Sequence, residues 1–144
     1  ENACRTLAAR RIVRIDLGTV SGARFLLVNY DNRLDPVIKI DDGVVARSTG
    51  IAEIQVVNVL PDDYGYRGPV ATPEDGRLNA YILKTESGFL KKDISQSSFI
   101  CKRVEFMSGP YKAVLDGGLE VEGVREITVL PQALSVIVGR ERKF

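Results

Sequence analysis

The chain has 144 residues, 44% of them apolar, and its 20 basic and 19 acidic side chains leave a formal net charge of +1. This length and composition fit one domain with a genuine hydrophobic core. A nucleic-acid binder would usually show a basic patch interleaved with aromatic residues. The near-neutral balance therefore favours no polyanionic partner, and we expect no nucleic acid.

The reactive side chains in the sequence exclude several kinds of catalytic and metal-binding site. The sequence contains no histidine, so His-based triads and imidazole metal sites are excluded within this chain, and Asp, Glu, Lys and Tyr remain as acids and bases. Cys4 and Cys101 form no CxxC pair, which predicts reduced thiols in a cytoplasmic protein. No apolar run approaches the roughly 20 residues that span a bilayer. Any membrane association is expected to be peripheral.

The first predicted element is a helix over residues 1–10. This segment is rich in Ala, Leu and Arg, with Leu7 and Ala8 three and four residues after Cys4 on one helical face. It reads as a connector that arrives from an upstream domain. We therefore predict an excised domain of a longer two-domain protein, with residues 11–144 forming one β-sandwich domain.

Strand patterns follow the helix. Apolar and charged residues alternate over residues 13–17, and a turn leads to a second strand at 23–29, which predicts a hairpin. Asp41-Asp42-Gly43 is a tight-turn signal for another hairpin. The predicted strands lie at residues 13–17, 23–29, 37–40, 43–47, 51–60, 78–84, 100–106, 112–115, 119–122, 125–130 and 134–138.

Two longer stretches separate these strands. Residues 61–76 form a long loop rich in proline and glycine, and residues 85–98 form a polar connection with one helical turn at 88–93. Turn signals every eight to twelve residues are typical of an antiparallel sandwich. The predicted fold is mainly β, an antiparallel sandwich of about ten short strands with a short N-terminal helix.

Four short motifs then occur in a fixed order. They are Ile15-Asp16-Leu17-Gly18, the strand from Ile54 to Asn58, Glu74-Asp75-Gly76-Arg77-Leu78, and Asp116-Gly117 ahead of the late apolar strand at 135–138. In this order they resemble the C-terminal β domain of the lipid kinases related to diacylglycerol and sphingosine kinases. The resemblance covers most of the chain, although each motif is short.

The resemblance implies a site for phosphoryl transfer to a lipid hydroxyl. Asp116 is the implied catalytic base, and Tyr64, Arg67 and Gly117 are the implied contacts to substrate or nucleotide. A base must lie within hydrogen-bond reach of the hydroxyl, about 3 Å. From the residues alone, Asp116-Gly117 is better explained as a simple hairpin turn, and only the resemblance makes the catalytic role an equal alternative.

A metal site is the second implication. Family members can hold a structural magnesium near the Asp-Gly-x-Leu signature, which places Glu74, Asp75 and the carbonyl of Arg77 as its ligands here. Mg²⁺ is a hard ion that takes oxygen ligands and keeps several waters. The acidic loop is also compatible with a solvated turn that binds no metal.

The same resemblance implies a missing partner. The family's phosphate-binding Gly-Asp-Gly-Thr loop belongs to a preceding nucleotide-binding domain, and this sequence contains no such loop. ATP and Mg²⁺ would therefore act through the full-length protein, and the isolated chain is expected to be inactive. The lipid substrate places the protein in the cytoplasm, peripheral at the inner membrane, and pairing of two copies through an edge strand stays open.

A second class of function is a standalone, non-catalytic β-sandwich that binds a ligand or a partner. Gly118 stands where the family usually has a glutamate, so a second carboxylate would come only from Glu120 or Glu122. Residues 30–36 alone fill a gap that carries several helices in the family, and those helices wall the lipid pocket. Both departures favour this alternative.

Overall fold

The computed structural model describes residues 4, 8, 11–30, 33–59, 68–87 and 92–139, and most of them lie in thirteen β-strands. The strands are β1 (Arg11–Val20), β2 (Ala23–Phe25), β3 (Leu27–Tyr30), β4 (Arg33–Leu34), β5 (Val37–Ile40), β6 (Val44–Arg47), β7 (Ile51–Val57), β8 (Leu78–Ser87), β9 (Lys92–Cys101), β10 (Arg103–Phe106), β11 (Tyr111–Leu115), β12 (Leu119–Val124) and β13 (Glu126–Val138). Cys4 and Ala8 are helical, and the rest of the predicted connector helix lies outside the described residues. Within the described part, no helix is long and apolar enough to cross a membrane.

The strands pair into two antiparallel sheets. The first has the order β2-β1-β13-β10-β5-β6, and the second has the order β12-β11-β3-β7-β8-β9, with β4 also paired to β7. Both predicted early hairpins are present, since β1 pairs with β2 and β5 pairs with β6. The single strand predicted over residues 23–29 is wrong, because it divides into β2 and β3, which lie in different sheets. The antiparallel β-sandwich predicted from the turn spacing is confirmed.

The main hydrophobic core lies between the sheets, and a smaller cluster is formed by Val13, Ile15 and Val138. Alternate residues of the central strands point inward, because side chains on a strand project to opposite faces in turn. The core takes Ile38, Ile40, Val104, Phe106 and Ile127 from the first sheet, and Ala52, Ile54, Val56, Leu78, Ala80, Ile82, Ala113 and Leu115 from the second. Burying each large apolar side chain contributes about 1.5–3 kcal/mol. This shared core fixes how the loops of the two sheets lie relative to each other.

The polar connection predicted over residues 85–98 is wrong. β8 continues to Ser87, and its partner β9 already begins at Lys92 and pairs with it along its whole length. The helical turn predicted at 88–93 is wrong for residues 92–93, which are strand, while residues 88–91 lie outside the described residues. β9 ends its sheet in the strand order, and an end strand tolerates the polar residues that had indicated a loop.

The late apolar region forms one strand, β13, where two strands separated at Pro131 were predicted. The pairing of β1 with β13 shifts register between Ile15 and Leu17, so that Pro131 to Ala133 lie opposite the single residue Asp16. Proline cannot donate to a ladder and is tolerated at such a bulge. The bulge therefore carries the strand past the proline and faces Asp16.

Candidate functional site

The turn between β11 and β12 presents Asp116 to solvent. Asp116 and Gly117 both have positive φ, 47° and 75°, and the amide of Gly118 donates to the carbonyl of Leu115 at 3.0 Å. Asp and Gly tolerate this left-handed conformation better than other residues. The Asp116 Oδ1 accepts a hydrogen bond from the amide of Leu26 at 2.9 Å. The carboxylate is thus exposed and held in one orientation, while its catalytic role stays a prediction.

Two other aspartates share this geometry. Asp35 and Asp41 both have φ of 48°, and each uses its carboxylate to bind backbone amides across a turn. Asp35 accepts from Gly50 at 2.6 Å, and Asp41 accepts from the amides of residues 102–103 at 2.8 and 2.9 Å. An aspartate at a left-handed turn is therefore a repeated structural device in this fold. Asp35 and Asp41 supply natural controls for any role assigned to Asp116.

One of the two glutamates that could supply a second carboxylate near Asp116 forms a structural ion pair. Glu120 lies on β12 and forms an ion pair with Lys112 at 2.7 Å across the hairpin. Glu122, further along the same strand, is exposed. An exposed pair of this kind contributes at most about 1 kcal/mol. The ion pair joins the two strands of the hairpin that carries Asp116.

The turn from Pro73 to Gly76 holds two of the three predicted metal ligands, Glu74 and Asp75, and Arg77 directly follows it. The carboxylate of Asp75 accepts from the amide of Thr72 at 2.9 Å and so caps its own turn, while Glu74 and Arg77 are exposed. Among the described residues, no group of three or more Cys, Asp or Glu side chains is placed to hold a metal ion. The donors are all oxygen, which fits a hydrated Mg²⁺ bound by one or two carboxylates.

A buried aspartate that the sequence analysis did not name as a site residue organises this turn. Asp16 is 0% exposed, and its two carboxylate oxygens accept from Gly76 at 2.7 Å and from Gln132 at 2.8 Å. Its own amide donates to the carbonyl of Pro73 at 2.6 Å. Gly76 and Gln132 have positive φ, 69° and 51°, which aims their amides at the carboxylate. Asp16 thus joins β1, the bulge of β13 and the acidic turn.

Asn58 connects Asp16 to the Asp116 turn. This residue is 1% exposed. Its side-chain Nδ2 donates to the carbonyl of Asp16, and its backbone amide donates to the carbonyl of Leu26 at 2.8 Å. Leu26 in turn donates to Asp116. Within the described residues, the Asn58 Oδ1 has no hydrogen-bond partner. The structure therefore links the predicted catalytic turn and the predicted metal turn through one hydrogen-bonded chain.

The predicted contacts Tyr64 and Arg67 lie outside the described residues. The buried Asn79 on β8 binds the segment at Ala71 that leads into this strand. Its Oδ1 accepts from the backbone amide of Ala71 at 2.7 Å, and its Nδ2 lies 3.4 Å from the carbonyls of Ala71 and Val57. Asn58 and Asn79 thus stand on either side of this segment. Both are buried polar residues with hydrogen bonds, as such residues usually are.

The sequence carried a signal for Asn58 but placed Asp16 differently. The alternation over residues 13–17 put Asp16 on the solvent-facing side of its strand, whereas the structure buries it. Asn58 ends an apolar strand, and both residues lay in motifs that carried the family resemblance. A polar residue at a position that should be buried requires a partner. That requirement marks Asn58 as a candidate from the sequence, and it marks Asp16 only once the structure shows that Asp16 is buried.

Tyr81 and Cys101 are excluded as acids or bases near neutral pH. Burial raises the pKa of the Tyr81 hydroxyl to about 12. Burial, together with the charge of Asp41, raises the pKa of the Cys101 thiol to about 12. Both groups therefore stay neutral in the folded chain at physiological pH.

Comparison with solved structures identifies the fold. A diacylglycerol kinase from Bacillus anthracis str. Sterne superimposes with a TM-score of 0.65 at 16% identity, covering 96% of this chain and 58% of that chain. A putative diacylglycerol kinase from the same organism gives a TM-score of 0.67 at 15% identity, covering 95% of this chain and 61% of that one. At this identity the likeness establishes the fold.

Sequence comparison gives a separate match. The chain is 31% identical over 133 residues to the phenylalanine–tRNA ligase β subunit of Sulfolobus acidocaldarius. The matched stretch covers 87% of this chain and 23% of that protein. No family model matches the chain. The chain thus spans about three-fifths of the solved kinases and less than a quarter of the curated relative. Its fold is the one that these diacylglycerol kinases have over the matched part of their length.

Proposed function

We propose that this chain is the substrate-side C-terminal domain of an ATP-dependent lipid kinase. The observation that carries the proposal is the exposed, oriented carboxylate of Asp116 on a fold shared with diacylglycerol kinases. The chain covers 58–61% of those structures, which leaves room in them for a second domain. In this proposal a preceding domain binds ATP, and the isolated chain is inactive.

The reaction assigns one role to this chain's carboxylate. The lipid hydroxyl oxygen forms a bond to the γ-phosphorus, the bond to the bridging oxygen breaks, ADP leaves, and Asp116 accepts the hydroxyl proton. Proton transfer to a positioned base contributes typically about 10²–10⁴-fold. The hydrogen bond from Leu26 orients the carboxylate before the substrate binds. The rest of the acceleration comes from positioning and charge stabilisation.

The acidic turn has the second role. Glu74, Asp75 and the carbonyl of Arg77 would hold a hydrated structural Mg²⁺, which would stabilise the acidic turn when bound. Tyr64, Arg67 and Gly117 remain the proposed contacts to substrate or nucleotide. The lipid would be reached at a membrane surface, with the protein bound peripherally from the cytoplasm.

The test uses the complete protein that carries this chain. Asp116→Asn keeps the left-handed backbone and an oxygen for Leu26 but removes the basic carboxylate. We expect lipid phosphorylation to fall about 10²–10⁴-fold, with a melting temperature within about 4 °C of the unmodified protein. Asp35→Asn is the matched control, because it changes the same residue type at the same φ. Equal activity in the two variants would refute the base role.

The gene itself provides a prior check. A Gly-Asp-Gly-Thr loop encoded upstream of Glu1, after a predicted strand, would supply the nucleotide site that the proposal requires. A start codon just before Glu1 would mean a free-standing domain and would end the kinase proposal.

One observation favours a second candidate, a binding module without catalysis. Between β3 and β5 the described residues contain only the short strand β4, in the place where the lipid kinases are expected to carry the helices of the lipid pocket. The curated relative also contains its matched stretch within a much longer chain. Under this candidate, the domain should retain a ligand in native mass spectrometry or associate with a defined partner. A domain that is empty and monomeric would count against it.

A further inference from the structure

Two buried polar residues lie between the candidate turns and take no part in the proposed proton transfer. Asp16 is 0% exposed and Asn58 is 1% exposed. Burying polar groups is costly unless they are hydrogen-bonded, and their bonds are stronger in the low dielectric of the interior. Their partners therefore indicate what they hold in place.

Asp16 holds the acidic turn from one side. Its carboxylate binds the amide of Gly76, and its amide binds the carbonyl of Pro73, so both ends of the turn are attached to one residue. The other carboxylate oxygen binds Gln132 in the bulge of β13. Movement of the turn relative to β1 would break bonds at both of its ends.

Asn58 connects Asp16 to the segment that orients Asp116. Its side chain donates to the carbonyl of Asp16, and its amide donates to the carbonyl of Leu26. The amide of Leu26 is the group that orients the Asp116 carboxylate. Leu26 is therefore fixed through its carbonyl by Asn58 and through its amide by Asp116.

We infer that Asn58 and Asp16 are positioning residues that hold Asp116 at a fixed place relative to the turn from Pro73 to Gly76. The two candidate turns then act as one site, in which the base and the acidic turn keep a constant spacing. Small displacements of reacting groups are expensive, since a shift of about 1 Å costs on the order of 10²-fold in rate. This inference rests on the proposed function of Asp116.

A kinetic double-mutant cycle in the complete protein tests it. Asn58→Ala keeps the backbone amide that binds Leu26 but removes the side-chain bond to the carbonyl of Asp16. The segment that orients the Asp116 carboxylate is then no longer attached to Asp16 and the acidic turn. We expect kcat to fall about 10–100-fold with little change in the KM for ATP, because the base is displaced and the nucleotide site stays intact. In an Asp116→Asn background the same substitution should lower kcat less than about 2-fold, since residues that act through one another are not additive. Effects that multiply in the double variant would overturn the inference.

Asn79→Ala is the matched control. Asn79 is also 1% exposed and also binds backbone groups through its side-chain amide, but its bonds go to Ala71 and Val57. Any loss of kcat caused by Asn79→Ala should therefore multiply with the loss caused by Asp116→Asn. A purely structural loss is thereby separated from an effect transmitted through the base.

Hydrogen exchange at the Leu26 amide gives a readout that does not need catalysis. Asn58→Ala should accelerate this exchange, and Asn58→Ser serves as the milder variant if the alanine protein does not fold. Unchanged protection of Leu26 in the variant that folds would overturn the positioning role. Wild-type kcat in Asp116→Asn would refute the proposed base instead, and exchange at Leu26 would then decide the positioning role on its own.

Discussion

Replacing Asp16 by alanine tests the buried centre of the site without any assumption about catalysis. The substitution leaves the amides of Gly76 and Gln132 without their carboxylate acceptor, from which they lie 2.7 and 2.8 Å in the intact chain. Leaving a buried donor unsatisfied costs about 1–3 kcal/mol. Both amides are only partly buried, so water offsets some of the loss, and we expect a total of about 3 kcal/mol. A domain of this size has about 5–15 kcal/mol of stability and should remain folded.

Equilibrium unfolding in urea at pH 7 measures the effect. With a slope of about 2 kcal/mol per molar urea, the midpoint of Asp16→Ala should fall by about 1.5 M. Asp75→Ala is the control, because its carboxylate caps the same turn from an exposed position and accepts from Thr72. Water can replace that acceptor, so Asp75→Ala should cost less than about 1 kcal/mol. Asp16→Asn keeps one acceptor oxygen and should fall between the two.

The ranking of these three variants is the discriminating result. Midpoints of Asp16→Ala and Asp75→Ala that agree within about 0.3 M would refute the reasoning. Such agreement would mean that the two amides find other acceptors once the carboxylate is gone. Asp16 would then be a tolerated polar residue and not the centre of the turn.

Three further outcomes follow from the core. Gly18→Ala should destabilise the fold by about 1–3 kcal/mol in the same unfolding assay, because the new Cβ would lie 2.0 Å from the ring of Phe25. Gly43→Ala is the control and should be nearly neutral, because no atom lies within 4 Å of its Cβ. Equal effects of the two substitutions would contradict the clash. The Cys101 thiol should resist a thiol reagent at pH 8 until the chain is unfolded, and rapid labelling of the native protein would contradict its burial. The pKa values of Tyr81 and Cys101 are raised to about 12, so their contribution to stability is fully present below their unfolded values and should be lost as pH rises toward about 12. Absorbance at 295 nm that shows all five tyrosines ionising normally in the folded chain would contradict the shift at Tyr81.

Local patterns were enough to predict the class of fold. Alternation over residues 13–17 and the Asp-Gly turns depend only on neighbours in the chain, and the hairpins they predicted are present. The same local reasoning failed at residues 85–98 and at Pro131. In both places the pairing partner decided the outcome, since an end strand accepts polar residues and a bulge accepts a proline.

The candidate site divides in the same way. Turn chemistry predicted a turn at Asp116-Gly117, because the residues that such a turn requires are visible in the sequence. The roles of Asp116 and of the acidic residues Glu74 and Asp75 came from the family resemblance. In the structure, Asp35 and Asp41 stand at turns with the same left-handed backbone as Asp116. The choice of Asp116 among them came from the order of the family motifs, and its role as the base stays a prediction.

The connection between the two turns could come only from the tertiary structure. Asp16 binds the amides of Gly76 and Gln132, which lie 60 and 116 positions further along the chain. Asn58 binds the carbonyl of Asp16, which lies 42 positions before it. The sequence by itself determined that a carboxylate and an amide would stand at positions that become buried. Which backbone groups they bind was decided when the two sheets closed on a common core, because only that packing brings β1, the bulge of β13 and the acidic turn within hydrogen-bond distance.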